Sequence, residues 1–208
     1  AYTAFSKTQA LSPTGQARVF DQSGDGIVIS EGAVVLVLKR LADAERDGDR
    51  IYAVIRSVAG SSDGNGFGLT APKPAGQRRA FDRAHALAGS NPASLALYEA
   101  HATGTAVGDR SELEMISGAL RDAHAPPGAC AIGSAKSLIG HTRGAAGVLG
   151  VLKAALALHH RVLPPHLGAT TPLAPLAAAG SPLYLLDQPR PWLDQPANSP
   201  PRLAGVSA

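Results

Sequence analysis

The fold of this chain is decided by the stretch Gly133-Ser134-Ala135-Lys136-Ser137-Leu138-Ile139-Gly140-His141-Thr142-Arg143-Gly144-Ala145-Ala146-Gly147. Before it, residues 130–134 form a short apolar run, which predicts a buried strand. After it, residues 145–159 are apolar around most of a helical circumference, which predicts a buried helix. Polar side chains on a short loop between rigid elements commonly form a functional site. We therefore expect Lys136 and His141 to lie on such a loop.

A second histidine stands in a similar context upstream. Residues 94–100 predict a strand that leads directly into His101. Sites gather at the carboxyl ends of strands in open α/β sheets, so His101 and His141 are expected to lie near each other. Two imidazoles there could both donate hydrogen bonds to one developing oxyanion. The positive end of the following helix and the charge of Lys136 both favour the neutral imidazole form.

The same residues also have structural interpretations. A histidine at a strand end is often a hydrogen-bonded structural residue, and Asp109 and Glu112 have the N-cap and N3 spacing of a helix capping box. Cys130 lies in a predicted buried strand without a neighbouring base, so it is interpreted as a core residue and not as a nucleophile. The remaining histidines are interpreted as helix-terminal, surface or loop residues: His85, His124, His159, His160 and His166.

The rest of the chain alternates strand and helix patterns. Strands are predicted over residues 33–38, 51–58 and 183–186, and helices over residues 41–47 and 76–88. The Gly-rich loop over residues 60–74 lacks the Gly-Lys-Ser/Thr pattern of a phosphate-binding loop. Alternation of this kind predicts an α/β fold with a largely parallel sheet.

Composition excludes several classes of protein. The 208 residues are 45% apolar, with no uninterrupted apolar run of membrane-spanning length, so neither disorder nor a membrane protein is expected. The net charge of +3 is carried by scattered residues, which gives no indication of nucleic-acid binding. No Cys/His spacing indicates a metal site.

A single cysteine is consistent with a reducing cytoplasm. Ala1 is not an initiator Met and Ala208 ends an apolar run, so a fragment is expected.

Several motifs together resemble the β-ketoacyl synthases, or ketosynthases. Glu99-Ala100-His101-Ala102-Thr103-Gly104-Thr105 resembles their first histidine motif, and Lys136-Ser137-Leu138-Ile139-Gly140-His141-Thr142 resembles their second. Gly68-Leu69-Thr70-Ala71-Pro72 is similar to a loop of polyketide-type and polyunsaturated-lipid-type enzymes. The motifs agree in order and spacing over nearly the whole chain.

The resemblance implies a thiolase-like fold, a five-layer αβαβα sandwich of two similar halves, of which this chain would be a part. Residues 1–58 would end the N-terminal half, and residues 59–208 would form a truncated C-terminal half. It implies decarboxylative Claisen condensation of an acyl thioester with malonyl-acyl carrier protein, in polyketide or fatty acid biosynthesis. It also implies a homodimer, with no directly bound cofactor, because phosphopantetheine is carried by the partner acyl carrier protein.

The resemblance also implies roles for individual residues. His101 and His141 would polarise the malonyl thioester carbonyl, Lys136 would orient the site through Glu112, and Thr103 and Thr105 would contact the pantetheine arm. The family's nucleophilic cysteine is expected upstream of Ala1, so this chain alone is expected to be inactive. Ala102 stands where glycine is usual and Leu138 where a polar residue is usual.

Two other interpretations remain open from the sequence. A thiolase shares the fold but uses coenzyme A and a second catalytic cysteine, and the two motifs described above argue against it. A non-catalytic chain-length-factor-like partner, or a decarboxylase-type ketosynthase, keeps the fold without the nucleophile. Such partners tend to lose the histidines, and both histidines are present here.

Overall fold

The fold is built on a four-stranded sheet whose strand pairs are all parallel. The computed structural model describes residues 2–62, 64, 73–193 and 201–208. Within these residues, the strands are β1 (Leu95–Glu99), β2 (Cys130–Gly133), β3 (Val162–Leu163), β4 (Leu183–Tyr184), β5 (Arg190–Pro191) and β6 (Leu203–Val206). The sheet order is β4-β2-β1-β6, and β3 and β5 form a separate antiparallel pair. The predicted parallel α/β architecture is thus confirmed.

Helices cover both faces of this sheet. They are α1 (Tyr2–Lys7), α2 (Leu41–Asp47), α3 (Pro74–Ala88), α4 (Ala106–Asp122), α5 (Lys136–Ile139), α6 (Ala146–His160) and α7 (Ala174–Ala177), with 3₁₀ turns at Pro92–Ser94 and Arg143–Ala145. Pro74 occupies the first turn of α3, where its missing N–H costs no hydrogen bond, and Gly48 and Gly89 end α2 and α3 in left-handed conformation. The predicted helices over residues 41–47, 76–88 and 145–159 are confirmed within two residues.

Two apolar cores lie on opposite faces of the sheet. Residues of α3 and α4, among them Phe81 and Ile116, pack with Ile132 in one core. Ala157 of α6 packs with Ala131 and Trp192 in the other. Because neighbouring residues of β2 point to opposite faces, one short strand contributes to both cores. The sheet is therefore held rigidly between helices, as a site at its edge requires.

Two predicted strands are wrong. Residues 33–38 and 51–58 form no strand, because no neighbouring strand in the described part of the chain is hydrogen-bonded to them. Their β-branched side chains face solvent, with Val35 85%, Val37 93% and Val58 81% exposed. A β-branched pattern favours a strand, but sheet formation also needs a partner strand.

The capping-box interpretation of Asp109 and Glu112 is also wrong. Helix α4 begins at Ala106, and Thr105 is its N-cap without a side-chain cap bond. The two acidic residues therefore lie inside the helix, where both carboxylates bond to the backbone of the preceding loop. The sequence pattern also does not predict the strand β6, because its four residues include a glycine and follow a proline-rich segment.

Three further expectations concern a loop, a membrane span and a metal site. The Gly-Leu-Thr-Ala-Pro motif of residues 68–72 lies outside the described residues. In the described part of the chain, no helix has both the length and the apolar character needed to cross a membrane. Within those same residues, no cluster of three metal-ligating side chains was found.

Candidate active site

The parallel sheet brings three chain segments to one edge. His101 follows the carboxyl end of β1, Ser134 follows β2 and Ser207 follows β6. Because the three strands run in the same direction, their carboxyl ends meet at the same edge of the sheet. The short helix α5 then carries the chain from Ser134 to His141. This edge is therefore where the sequence-predicted site residues converge.

The two predicted histidines lie side by side. The ring centroids of His101 and His141 are 5.9 Å apart, and the rings are nearly perpendicular at 87°. His101 is solvent-accessible and His141 is half-buried, so both imidazoles can be reached from outside. His141 does not directly follow a strand, as the sequence suggested, but forms an isolated bridge with Ile29. Both imidazoles can therefore contact the same small group of a ligand from two directions.

The backbone fixes which nitrogen of His141 carries the proton. The N–H of Arg143 donates to Nδ1 of His141 at 3.1 Å, so in the neutral ring the hydrogen is on Nε2. Gly140 precedes it with a φ of 76°, and a Cβ there would lie 2.9 Å from the Val28 carbonyl oxygen. Only glycine fits this turn without strain. His141 is thus held as an Nε2–H donor.

Both imidazoles favour the neutral form. Burial, the charge of Lys136 and the neighbouring His101 and Arg143 lower the pKa of His141 to about 4. Desolvation and Lys136 also lower the pKa of His101, against an opposing effect of Glu112. Neutral imidazole donates one hydrogen bond without carrying charge, as an electrophilic group beside a carbonyl requires.

Lys136 is a buried cation next to this pair. It opens α5 with only 6% of its surface exposed, and burial lowers its pKa. The charges of Glu99, Glu112 and Asp109 act in the opposite direction and favour the ammonium. No ion pair within 4 Å joins Lys136 to Glu112 among the described residues. The connection between them is therefore electrostatic and acts across a distance.

Glu112 holds the backbone beside His101. Its carboxylate accepts the N–H groups of His101 at 2.9 Å and Ala102 at 2.8 Å. Asp109 accepts the N–H of Thr103 at 2.9 Å and that of Phe20 at 2.9 Å, which ties the same loop to the N-terminal part of the chain. The desolvation of Asp109 raises its pKa to about 6. Two carboxylates of α4 therefore fix the loop that carries the first histidine.

Ser207 is a site residue that the sequence pattern does not indicate. Its hydroxyl donates to Glu112 at 2.5 Å and accepts the N–H of His101 at 2.9 Å. Its own N–H donates to the carbonyl of Glu99 at 2.9 Å. A serine directly after a short apolar run carries no signal of its own, because the contact depends on the unpredicted pairing of β6 with β1.

Thr103 and Thr105 lie at the N-terminus of α4. Their hydroxyl oxygens are 3.2 Å apart, and both Thr103 and Thr105 are half-buried. The backbone of Thr105 also forms a bridge with Asp25. The threonine hydroxyls are thus on the same loop as His101 and can contact a polar ligand that approaches the histidines.

Ala102 and Leu138, which differ from the residues usual in the ketosynthase motifs, lie in different environments. Ala102 does not adopt a positive φ, so its methyl group causes no backbone strain, and it is 2% exposed. Leu138 is 44% exposed and lines an apolar hollow of about 360 Å³ with Leu149 and Leu152 of α6.

The other nucleophile and base candidates are structural. Cys130 is fully buried, and burial raises the pKa of its thiol well above its usual range. His166 lies in a loop, as interpreted, but it is buried and not on the surface. It is 6% exposed, accepts the N–H of Ser134 at 3.3 Å on Nδ1, and contacts the carbonyl of Val19 at 3.0 Å through Nε2. It therefore joins the loop after β2 to the N-terminal part of the chain.

Comparison with known proteins identifies the family. The model of the β-ketoacyl synthase C-terminal domain matches residues 52–170, and that of the N-terminal domain matches residues 1–44. The chain belongs to the β-ketoacyl synthase family. Its relatives include a polyunsaturated fatty acid synthase subunit from Thraustochytrium, 42% identical over all of this chain and 8% of that protein. A phenolphthiocerol/phthiocerol polyketide synthase subunit from Mycobacterium tuberculosis is 42% identical over all of this chain and 11% of its own length.

Solved structures show the same fold. The ketosynthase from module 6 of the bacillaene synthase of Bacillus subtilis superposes with a TM-score of 0.92 at 41% identity, over 99% of this chain and 37% of that one. The oxazolomycin ketosynthase domain KS7 of Streptomyces albus matches with a TM-score of 0.90 at 37% identity, over 99% of this chain and 36% of that one. The thiolase-like fold expected from the resemblance is confirmed, and this β-ketoacyl synthase chain spans little more than a third of these domains.

Proposed function

We propose that this chain is part of a ketosynthase that joins an acyl thioester to malonyl-acyl carrier protein by decarboxylative Claisen condensation. The observation that carries the proposal is that His101 and His141 lie side by side, with ring centroids 5.9 Å apart. Burial and the charge of the buried Lys136 lower the pKa of both imidazoles, which favours their neutral form. Family membership supports it, because the relatives are polyketide and polyunsaturated fatty acid synthases.

The site suits the decarboxylation half of the reaction. The bond between the malonyl carboxylate and the adjacent carbon breaks, carbon dioxide leaves, and the electron pair moves toward the thioester carbonyl oxygen as an enolate. Nε2–H of His141 and an N–H of His101 donate to that oxygen while its charge develops. The enolate carbon then attacks the acyl thioester carbonyl and displaces the thiolate that carried the acyl group. Neither imidazole needs to give up its proton for this.

The surrounding residues have supporting roles in this proposal. Burial and the charge of Lys136 favour the neutral form of both imidazoles, and Glu112 holds the backbone of His101 in place. Thr103 and Thr105 contact the pantetheine arm of the carrier protein. No cofactor is bound directly, because the thioesters arrive on phosphopantetheine. We further propose that the enzyme acts as a cytoplasmic homodimer, with residues 1–58 in the N-terminal half of the domain and residues 59–208 in the C-terminal half.

The acyl-carrying thiol is not Cys130, because that side chain is fully buried with its pKa raised. We propose that the nucleophile lies in the part of the ketosynthase domain that this chain does not span. The 208 residues alone are then inactive in condensation, and the histidine pair is the half of the site that they contribute.

The test is release of carbon dioxide from a malonyl thioester by the intact ketosynthase that contains this chain. Asparagine in place of His141 removes the Nε2–H donor, so the rate should fall by about 100-fold or more. The matched control is His124→Asn, because His124 is exposed and outside the site. Its left-handed backbone, with a φ of 61°, is one that asparagine tolerates. Equal rates for His141→Asn and wild type would refute the proposal.

A further inference from the structure

A second lysine lies behind the site, on the helix that follows it. Lys153 of α6 donates from Nζ to Oε2 of Glu99 at 2.7 Å, and their side chains are 14% and 4% exposed. The other carboxylate oxygen of Glu99, Oε1, accepts the N–H of Ala135 at 2.5 Å. Ala135 directly precedes Lys136. One buried ion pair is therefore bonded to the turn that carries the site lysine.

The backbone around the pair leaves room for it. A Cβ on Gly150, one turn before Lys153, would lie 3.2 Å from Cγ of Glu99. A Cβ on Gly133 would lie 3.6 Å from Nζ of Lys153. The contact at Gly133 would be ordinary van der Waals contact, whereas the contacts at Gly150 would be tight, so glycine at 150 lets α6 approach the end of β1 closely enough for the ammonium to reach the carboxylate. The ion pair is thus built into the packing of helix against sheet.

Lys136 is a second possible ion-pair partner for the Glu99 carboxylate, besides Lys153. Glu99 has the largest favourable charge effect on Lys136, yet no ion pair within 4 Å joins the two among the described residues. The charged and titratable groups that interact with Lys136 lie on several neighbouring elements: Glu99, Asp109, Glu112, Lys153, His101 and His141. Without Lys153, the carboxylate of Glu99 would lose its ion-pair partner and would be available to the site lysine.

We propose that Lys153 is a positioning residue that keeps the Glu99 carboxylate on the Ala135 N–H and away from Lys136, so that the Lys136 ammonium stays beside the two histidines. The pair does not touch the substrate and acts only through the turn of residues 134–136. This inference rests on the proposed function for its catalytic consequence, but its structural part stands on the contacts alone. It gives a role to two residues that the condensation chemistry does not use.

The test replaces Lys153 with methionine in the intact ketosynthase. A crystal structure of Lys153→Met should show Glu99 paired with Lys136. Withdrawal of the ammonium from the histidines should raise the pKa of His101 and His141 by about 0.5 to 1, measured by NMR titration with isotope-labelled histidine. The acid limb of the pH profile of carbon dioxide release should move to higher pH by a similar amount. Lys39→Met, which removes an exposed ion pair with Asp47, should change none of these.

The double variant Glu99→Gln/Lys153→Met separates the proposal from a general loss of packing. The double variant has no competing anion, so the Lys136 ammonium should stay beside the histidines and both histidine pKa values should return toward wild type. Replacement of both members of a buried ion pair is often tolerated. If Lys153→Met does not fold, Lys153→Gln supplies the comparison, because its neutral amide is one atom shorter than lysine and leaves the charge of Glu99 unneutralised. The proposal is overturned if Glu99 and Lys136 stay apart in the single variant, or if the double variant does not restore the pKa values. A wild type that releases no carbon dioxide would refute the proposed function, while the crystal and NMR results would still decide this inference.

Discussion

At the scale of single residues, the site depends on which imidazoles are neutral and where their protons lie. His141 and His166 each accept a backbone N–H on Nδ1, so in both rings Nε2 carries the hydrogen. For His141 that donor is the one we propose for the enolate oxygen, whereas for His166 it contacts the carbonyl of Val19. The same chemical arrangement therefore supports a proposed catalytic role in one ring and a structural contact in the other.

The buried His166 should make stability depend on pH. Its folded pKa of about 4 lies below the usual histidine value of 6.5, so between these values the unfolded state binds more protons. Stability that His166 contributes at neutral pH is thus lost as pH falls through this window, by up to about 3 kcal/mol. Asp109, whose folded pKa is raised to about 6, acts in the opposite direction, so a variant comparison is needed.

We expect His166→Gln to be less stable than wild type near neutral pH, and the difference to shrink as pH falls toward about 4. Urea unfolding at a series of pH values measures this difference. The matched control is His124→Gln, because His124 is exposed and outside this contact. A constant difference between His166→Gln and wild type would show that His166 does not titrate in this window.

Sequence could predict the two site histidines but not this structural one. His101 and His141 stand next to strong strand and helix patterns, which place them at one edge of a parallel sheet. His166 contacts Ser134 and Val19, which are far away in sequence, and no local pattern records such contacts. The effect of Ala102 depends on its backbone φ, which only the structure gives.

At the scale of elements, α4 and β6 act together to hold the loop after β1. Helix α4 supplies Asp109 and Glu112, and β6 delivers Ser207 to the same carboxylate. The sequence pattern predicts α4 but not the role of its acidic residues, because the helix begins one turn earlier than the capping pattern suggests. The small, Gly-containing strand β6 is stabilised by its pairing with β1, not by local propensity.

Replacement of Ser207 by alanine tests this linkage. Loss of the hydroxyl removes one hydrogen bond to Glu112 and one from the N–H of His101, so unfolding free energy should fall by about 1 to 2 kcal/mol. The rate of carbon dioxide release should also fall, because the backbone of His101 is less firmly held. Chemical denaturation and the decarboxylation assay measure the two effects. Ser61→Ala, at an exposed position, is the control, and an unchanged rate in Ser207→Ala would contradict a positioning role.

At the scale of the whole molecule, two apolar segments, residues 33–38 and 51–58, have no partner strand in the described part of the chain. The sequence predicts strands there, because it does not show the absence of a neighbour. The compact parallel sheet with its two cores could be predicted from alternating patterns. The pairing of particular strands could not be predicted, because it depends on contacts between segments that are distant in sequence.

The exposed valines should cause self-association of the 208-residue polypeptide. Val35 and Val37 are 85% and 93% exposed on a segment with no partner strand in the described part of the chain, and exposed apolar side chains favour association between copies. We expect Val35→Lys/Val37→Lys to lower the apparent mass measured by light scattering. Lysines at the exposed Thr3 and Thr8 add the same charge elsewhere and should have less effect. Equal masses for the two double variants would show that the segment does not mediate association.

The most direct measurement of the central claim is the steady-state kinetics of malonyl thioester decarboxylation by His101→Asn in the intact ketosynthase. If His101 stabilises the enolate oxygen, kcat should fall by about 100-fold or more while KM stays nearly constant, because the hydrogen bond strengthens only as charge develops. A rise in KM with an unchanged kcat would show that His101 only binds the ground-state thioester, and would contradict the account.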